Sequence, residues 1–316
     1  MIRPFAAGDA EQVANLLISL LPASVQTAES LRYRQLSEPG RSRRESWAAV
    51  DGDEVVGFAT AHFQWFGGEL GKGRVWVGVR EDQRQRGIGT DLWNRAVAHL
   101  AGAKKLTVEV DDDPAGLRFV EARGFEPYDA EVISRLDPRE CLQEPKPNEG
   151  FRAVPLCELR DQERKLFEFY GRAGAIPPGD QGNRVTLEEW RRFVLGNPIL
   201  DDEASVVVVD AEQRVASLSW LLVDGSRRRA ENEWTATLPA LRGRGLARLA
   251  KLASIRWAAA QGITEIVTGN DPDNVPMLEL NRRLGYRELF IRRDMEKEAA
   301  PARGKLRRPP LDGSNA

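Results

Sequence analysis

The chain has 316 residues, a length typical of two domains of about 150 residues each rather than of one hydrophobic core. Of these residues 41% are hydrophobic and 30% are charged, and the formal charge of −2 excludes an overall field that would attract nucleic acid. The two cysteines, Cys141 and Cys157, are too few for a disulfide scaffold or a four-thiolate metal site. With only His62 and His99 as imidazoles, the composition predicts no metal site.

The chain opens on Ile2-Arg3-Pro4 and an acidic stretch, which lacks the charged and apolar regions of a signal peptide. The longest apolar runs, such as Val206-Val207-Val208-Val209, have the length of a strand and fall far short of the ~20 residues of a membrane helix. The sequence therefore predicts a cytoplasmic protein with no membrane or nucleic-acid partner.

In the first half, a strand and one or two helices are predicted to precede an antiparallel meander with a hairpin turn at Asp51-Gly52-Asp53. Apolar residues at a spacing of four, from Ile88 to Leu100, predict a helix with one buried face. After the opening segment, the predicted elements are strands 46–50, 54–63 and 74–79, helix 87–100, strand 106–110, helix 114–122 and strand 131–136.

The second half repeats this order, and three short motifs recur at an offset of about 160 residues. The matching positions are Asp51 and Asp210, Arg84 and Arg242, and Gly124 and Gly285. The predicted elements are strands 205–209, 214–223 and 231–237, helix 245–260, strand 265–268, helix 275–284 and strand 287–292. Strands that alternate with helices after a meander predict an α/β fold with a mixed sheet in each half.

The domain boundaries follow from the repeat and from composition. Three prolines between residues 138 and 150 are typical of a linker, and the last residues are rich in Pro, Gly and basic side chains. The sequence predicts an N-terminal domain over 1–137, a linker over 138–150, a C-terminal domain over 151–296 and a flexible tail over 297–316.

A phosphate-binding loop is predicted in each half, where a strand leads into a helix. Glycines at Gly87 and Gly89 allow backbone to approach a ligand closely, and the free amides of the next helix attract anions. Arg84 and Arg86 add positive charge beside them, and Arg242-Gly243-Arg244-Gly245 occupies the equivalent place in the second half. The alternative is a helix start whose arginines serve only solubility.

The patterns Arg-x-x-Gly-x-Gly at Arg84 and Arg-x-x-Gly-x-Ala at Arg242 resemble the acyl-CoA pyrophosphate loop of the GNAT acetyltransferases. The resemblance covers both halves and implies two tandem GNAT-like acyl-CoA N-acyltransferase domains with acetyl-CoA (CoA) as co-substrate. The residues that would bind CoA are Val79, Arg84, Arg86, Gly87, Ile88, Gly89 and Thr90 in the first half, and Thr237, Arg242, Gly243, Arg244, Gly245, Leu246, Ala247, Asn274 and Asn281 in the second.

The last helix of each half also resembles the family pattern, with Asp113 or Asn274 before it and a Gly-aromatic pair after it. The resemblance implies that Asn274 hydrogen-bonds the pantetheine arm of CoA, whereas both residues could serve only as helix N-caps. The tyrosine that acts as general acid in many family members would fall at Val120 and Asn281, and neither side chain can protonate a thiolate.

Glu231 and Glu233 are the candidate catalytic residues. A carboxylate near the acceptor amine can remove its proton, and the resemblance places such a base on the fourth strand. The two residues are two apart and so share one face of a strand, while the aligned positions of the first half, Gly73 and Val75, are not acidic. The alternative is a solvated acidic face. If one half is catalytic, the asymmetry points to the C-terminal half.

The resulting expectation is an N-acetyltransferase that moves an acetyl or short acyl group from acyl-CoA to a primary amine by direct attack in a ternary complex. The acceptor would be a small molecule or a peptide, and the protein a monomer or homodimer. The alternative is a non-catalytic acyl-CoA-binding or sensing protein, which the missing tyrosine favours.

Overall fold

The computed structural model describes residues 1–66, 70–146, 148–174 and 185–299. Pro147 of the predicted linker and the predicted tail from residue 300 onward lie outside this range. The first half contains β1 (Ile2–Pro4), α1 (Ala10–Leu20), α2 (Ala28–Ser37), β2 (Glu45–Asp51), β3 (Glu54–Phe63), β4 (Lys72–Val79), α3 (Ile88–His99), β5 (Lys105–Val110), α4 (Pro114–Glu121) and β6 (Glu126–Leu136).

The second half follows the same order. It contains β7 (Phe151–Pro155), α5 (Glu163–Arg172), α6 (Leu187–Trp190, continued by a π-helical turn over Arg191–Leu195), β8 (Val206–Asp210), β9 (Val215–Asp224), β10 (Arg229–Thr237), α7 (Leu246–Ala260), β11 (Glu265–Asn270), α8 (Val275–Leu284) and β12 (Arg287–Glu298). The mixed α/β fold predicted from the sequence is confirmed.

Across the described residues, twelve strands join into one sheet in the order β1-β2-β3-β4-β5-β12-β6-β11-β10-β9-β8-β7. The pairs β4–β5 and β10–β11 are parallel, and the other neighbours are antiparallel. A parallel pair needs a crossover connection, which α3 supplies in the first half and α7 in the second. Both crossover helices pack against the sheet through their apolar faces. For α3, the spacing of apolar residues from Ile88 to Leu100 predicts this buried face.

The last strands of the two halves are exchanged. β12 lies beside β5 of the first half, with Met295 opposite Val108, while β6 lies beside β11 of the second half, with Leu136 opposite Ile266. Met295 is therefore buried in the core of the first half, and Leu136 in the core of the second. An alternating strand can pair with either neighbour, so the sequence did not predict this exchange.

The exchange joins the halves on both sides of the predicted linker. β12 continues to Glu298, two residues beyond the predicted C-terminal domain, because it pairs with β5 as far as Lys105. Within the linker, Cys141 is buried against the second-half core. The sheet thus crosses the sequence boundary at 138–150 and fixes the two halves side by side.

Candidate active site

Both halves contain a wedge where the parallel strands separate. β4 pairs with β5 only from Lys72 to Arg74, although β4 runs on to Val79. β10 pairs with β11 only from Arg229 to Glu231, although β10 runs on to Thr237. Beyond these pairs the backbone amides facing the wedge lack a partner strand, so each wedge offers hydrogen-bond donors to a polar ligand.

Only the second half has a β-bulge at the narrow end of its wedge. The register of β10 against β9 shifts between Asn232 and Trp234, so Glu233 is the inserted residue. The corresponding pairing of β4 with β3 is regular from Phe63–Gly73 to Gly57–Val79. A bulge bends the strand and redirects side chains, and bulges are frequent beside active sites.

A buried polar network lies on the side of this bulge that faces α7. Lys251 of α7 donates to Asn232 Oδ1 at 2.5 Å, and Thr235 donates to the same oxygen at 3.0 Å. The Asn232 amide in turn donates to Ser219 Oγ and to the Trp220 carbonyl, both at 2.9 Å. Burial lowers the pKa of Lys251 to about 7. The network turns Asn232 toward α7 and leaves its two glutamate neighbours on the opposite face.

Glu231 and Glu233 line one cavity of about 410 Å³. Glu231 Oε2 accepts a hydrogen bond from the Val25 amide at 2.8 Å, and Ser24 Oγ lies 3.4 Å from the same oxygen. Burial between the two halves and the nearby Glu233 carboxylate raise the pKa of Glu231 to about 8. Among the described residues neither glutamate forms an ion pair.

Most of the other residues that line this cavity come from the first half. The polar ones include Arg34 of α2 and His62 of β3, and the apolar ones include Trp65 and Phe66. Burial and the neighbouring arginines hold the pKa of His62 well below its usual value, so this imidazole is neutral. The cavity also touches the wedge of the first half, because Arg74 and Glu109 line it.

The first-half loop has glycines in the predicted geometry but partly neutralised arginines. Gly87 is the N-cap of α3 with φ +83°, and no atom lies within 4 Å of a Cβ built on it. Arg84 lies 3.3 Å from the Asp113 carboxylate, and Arg86 lies 3.6 Å from that of Asp51. The other predicted residues are placed at the end of β4 (Val79) and in the first turn of α3 (Ile88, Gly89 and Thr90).

The second-half loop has a similar backbone conformation, but its two arginines form no ion pairs among the described residues. Gly243 and Gly245 have φ +76° and +79°, and the space above Gly243 is open. In the described part of the chain, Arg242 and Arg244 form no ion pair and are exposed to solvent. Thr237 ends β10, and Leu246 and Ala247 begin α7. Open glycines, free helix amides and unpaired guanidinium groups fit a pyrophosphate.

The residues before and within the last helices are also placed. Asp113 caps α4 by accepting from the Ala115 amide at 3.0 Å, and Asn274 caps α8 by accepting from the Met277 amide at 3.3 Å. Both residues therefore perform the structural role that the sequence left open. Val120 packs in the first-half core. Asn281 is buried and donates to Asn270 Oδ1 at 2.6 Å, and its own Oδ1 has no partner among the residues described.

Residues 10–125 and 164–286 each match the model of the acetyltransferase (GNAT) family, and together they make up more than half of the chain. The chain belongs to the GNAT family. Similar relatives include the mycothiol acetyltransferases of Clavibacter sepedonicus, 26% identical over 220 residues (66% of this chain and 67% of that protein), and of Kocuria rhizophila, 26% identical over 291 residues (85% and 88%).

Solved structures agree on the tandem GNAT fold. A tandem GNAT protein from the clavulanic acid biosynthesis pathway superposes with a TM-score of 0.73 and 19% identity, covering 95% of this chain and 99% of that one. A GCN5-related N-acetyltransferase from Sphaerobacter thermophilus gives a TM-score of 0.63 and 20% identity, covering 94% and 95%. The resemblance to tandem GNAT proteins inferred from the sequence is therefore confirmed, and GNAT acetyltransferases use acetyl-CoA.

Some residues of this GNAT site could not be found from the sequence. Arg34, His62 and Trp65 lie in the first half, more than 160 positions from Glu231, and no motif marks them. Lys251 carried a weak signal, because it is a lysine within the apolar stripe of α7. Among the described residues no cluster suited to a metal ion is found, and none of the helices is long and apolar enough to span a bilayer.

Proposed function

We propose that this GNAT protein is an N-acetyltransferase that transfers an acetyl or short acyl group to a primary amine, with catalysis in the second half. The observation that carries the proposal is Glu231, a carboxyl with a raised pKa on the cavity wall where the second wedge begins. The active unit would combine the C-terminal domain, predicted over 151–296, with a wall from the domain predicted over 1–137.

Glu231 is suited to act as the general base. An amine must lose its proton before it can attack, and a base works best when its pKa lies near the working pH. A glutamate with a pKa of about 8 accepts a proton from an ammonium more readily than an ordinary glutamate does, and it becomes available as a base as the pH rises through about 8. Glu233, on the same wall, would attract the ammonium form of the acceptor into the cavity.

The chain's own residues would hold acyl-CoA along the second wedge. The loop from Arg242 to Ala247 and the first amides of α7 would bind the pyrophosphate, and Asn274 and Asn281 would flank the pantetheine arm. The unpaired amides of β10 beyond the bulge would hydrogen-bond the thioester carbonyl and orient it toward the cavity. Acyl-CoA supplies the activated thioester, and the protein supplies position and proton transfer.

Direct transfer in a ternary complex agrees with the position of the cysteines. Cys141 is buried in the second-half core, and Cys157 is exposed, with neither on the cavity wall. No thiol is therefore placed to carry the acyl group between CoA and the amine. The amine nitrogen would attack the thioester carbon while Glu231 accepts its proton, the C–S bond would then break, and CoA would leave as a thiolate that takes a proton from water.

A non-catalytic acyl-CoA-binding protein is the second candidate, and Asn281 favours it, because an amide replaces the usual proton donor. The test is to incubate the protein with acetyl-CoA and a panel of primary amines and to follow the release of free thiol. We expect amine-dependent release, which Glu231→Gln should reduce. Tight CoA binding without release for any amine would support the second candidate instead.

A further inference from the structure

The charged wall of the cavity contains one arginine that has no carboxylate partner among the described residues. Arg44 is paired with Glu38 at 2.7 Å, Arg74 is paired with Glu109, and Arg292 is paired with Asp111. These three guanidinium groups are neutralised by the fold. The fourth lining arginine, Arg34, forms no ion pair and no hydrogen bond in the described part of the chain.

Arg34 lies on α2 and reaches the cavity from the first half. Burial and the positive charge of Arg44 lower the pKa of Arg34. The carboxylates of Glu38, Glu231 and Glu233 raise this pKa from a distance, although none of them forms a hydrogen bond or an ion pair with the guanidinium among the described residues. Arg34 is partly exposed and lines the cavity. Its guanidinium is therefore open to a carboxylate of a ligand, which an arginine can bind through two parallel hydrogen bonds.

Two further features surround this position. The His62 imidazole is neutral, and its buried Nδ1 has no hydrogen-bond partner within the part of the chain that the structure describes. Trp65 and Phe66, together with Phe193 of the second half, form an apolar edge of the same cavity. Besides the two glutamates, the cavity thus offers a cation, a neutral imidazole and an aromatic surface.

We propose that the acceptor is a small amine that also carries an anionic group, such as an α-amino acid with an apolar side chain. Its amine would lie against Glu231 and Glu233, its carboxylate would pair with Arg34, and its side chain would contact the aromatic edge. A volume of about 410 Å³ lies within the range of small-molecule sites, roughly 300–1,000 Å³. This inference rests on the proposed function, because it assigns the acceptor of the same reaction.

The test compares L-phenylalanine with L-phenylalaninamide, which has the same ring and amine but no carboxylate. Acetyl transfer to each is measured with the wild type, with Arg34→Gln and with Arg32→Gln as a matched control. Arg32 lies on the same helix with an exposed side chain that does not line the cavity. The amide has the more easily deprotonated amine, so a preference for the acid cannot arise from amine ionisation.

We expect the wild type and Arg32→Gln to prefer phenylalanine by at least about 10-fold in kcat/KM, since the amide cannot form the charge pair with Arg34. Arg34→Gln should remove this preference by raising KM for phenylalanine, with little change for the amide. Equal use of the two acceptors by the wild type, or an equal loss for both in Arg34→Gln, would overturn the inference.

Binding measurements separate this inference from the proposed function. Calorimetric titration of each compound into the CoA-saturated protein should show binding that needs both the carboxylate and Arg34. If phenylalanine binds in this way but is never acetylated, the proposed function fails and the anion site stands. If carboxylate-dependent binding is missing, the inference fails, whatever amines are acetylated.

Discussion

The two halves share the same wedge and the same glycine loop, but they differ where the wedge begins. In the second half a bulge places Glu231 and Glu233 on the cavity wall, and neither is paired with a cation in the described chain. In the first half the strand is regular, and the first-half carboxylates that line the same cavity, Glu38, Glu109 and Asp111, are each paired with an arginine. Among the described residues, the cavity's carboxylates without a cation partner therefore both come from the second half.

The two halves of the repeat therefore contribute different groups to the cavity. The first half has the same fold as the second, contributes Arg34 and His62 to the cavity, and is joined to the second half by the exchanged strands β6 and β12. The second half keeps the groups that could perform proton transfer. We propose that the two copies form one composite site, in which the first half supplies part of the wall and the second half supplies the base.

The two loops differ less than the two wedges. Arg84 and Arg86 face Asp113 and Asp51, whereas Arg242 and Arg244 are free among the described residues. The pairs in the first loop are exposed, and such surface ion pairs contribute only about 0–1 kcal/mol. A pyrophosphate could displace them at small cost. The loops therefore give only weak support for CoA binding in the second half rather than the first. The stronger reason to assign catalysis to the second half is the bulge with its two carboxylates.

The largest expected effect comes from removing the base. Glu231→Gln should lower kcat by roughly 10²- to 10⁴-fold, because it removes proton transfer without changing side-chain size. The matched variant Glu109→Gln removes a carboxylate of the same cavity from the first half and should lower kcat far less. Steady-state rates of thiol release for both variants measure the contrast. A greater loss in Glu109→Gln would transfer catalysis to the first half.

A smaller effect is expected in the nucleotide loops. Gly243→Val should weaken CoA binding by at least about 10-fold, because a side chain would occupy the space needed for close backbone approach to the pyrophosphate. Gly262→Val is the control for strain, since Gly262 also has positive φ and open surroundings but lies after α7. Calorimetric titration with CoA gives both affinities. Unchanged binding in Gly243→Val, with a loss in Gly87→Val, would contradict the assignment.

The smallest effect is a shift in pH dependence. The Glu233 carboxylate helps to raise the pKa of Glu231, so Glu233→Gln should lower that pKa and move the acidic limb of kcat/KM from near 8 to lower pH.

The same pKa shift makes stability depend on pH. Folded Glu231 keeps its proton up to about pH 8, whereas the unfolded chain releases it near 4.5. Its contribution to the free energy of unfolding is thus full below pH 4.5 and is lost as pH rises through 8.

The pH profile of kcat/KM for wild type and Glu233→Gln provides the measurement. Glu231→Gln serves as the control, because it should remove the limb altogether and flatten the corresponding slope of stability against pH. A limb that stays in place in Glu233→Gln would show that the two glutamates do not interact.

The sequence predicted local structure well, because hairpin turns, glycine stops and apolar spacing are local signals. It also selected Glu231 and Glu233 by comparing two copies of one motif. It did not predict that β6 and β12 exchange places, since an alternating strand carries no record of its neighbour. For the same reason it missed Arg34 and His62, whose importance arises only when the joined sheet brings the first half over β10.

A crystal structure of the protein with CoA tests most directly whether the second half holds the active site. We expect CoA along the second wedge, with its pyrophosphate at residues 242–247 and its thiol directed toward Glu231. CoA bound only at residues 84–90, with its thiol directed toward Glu109, would contradict it.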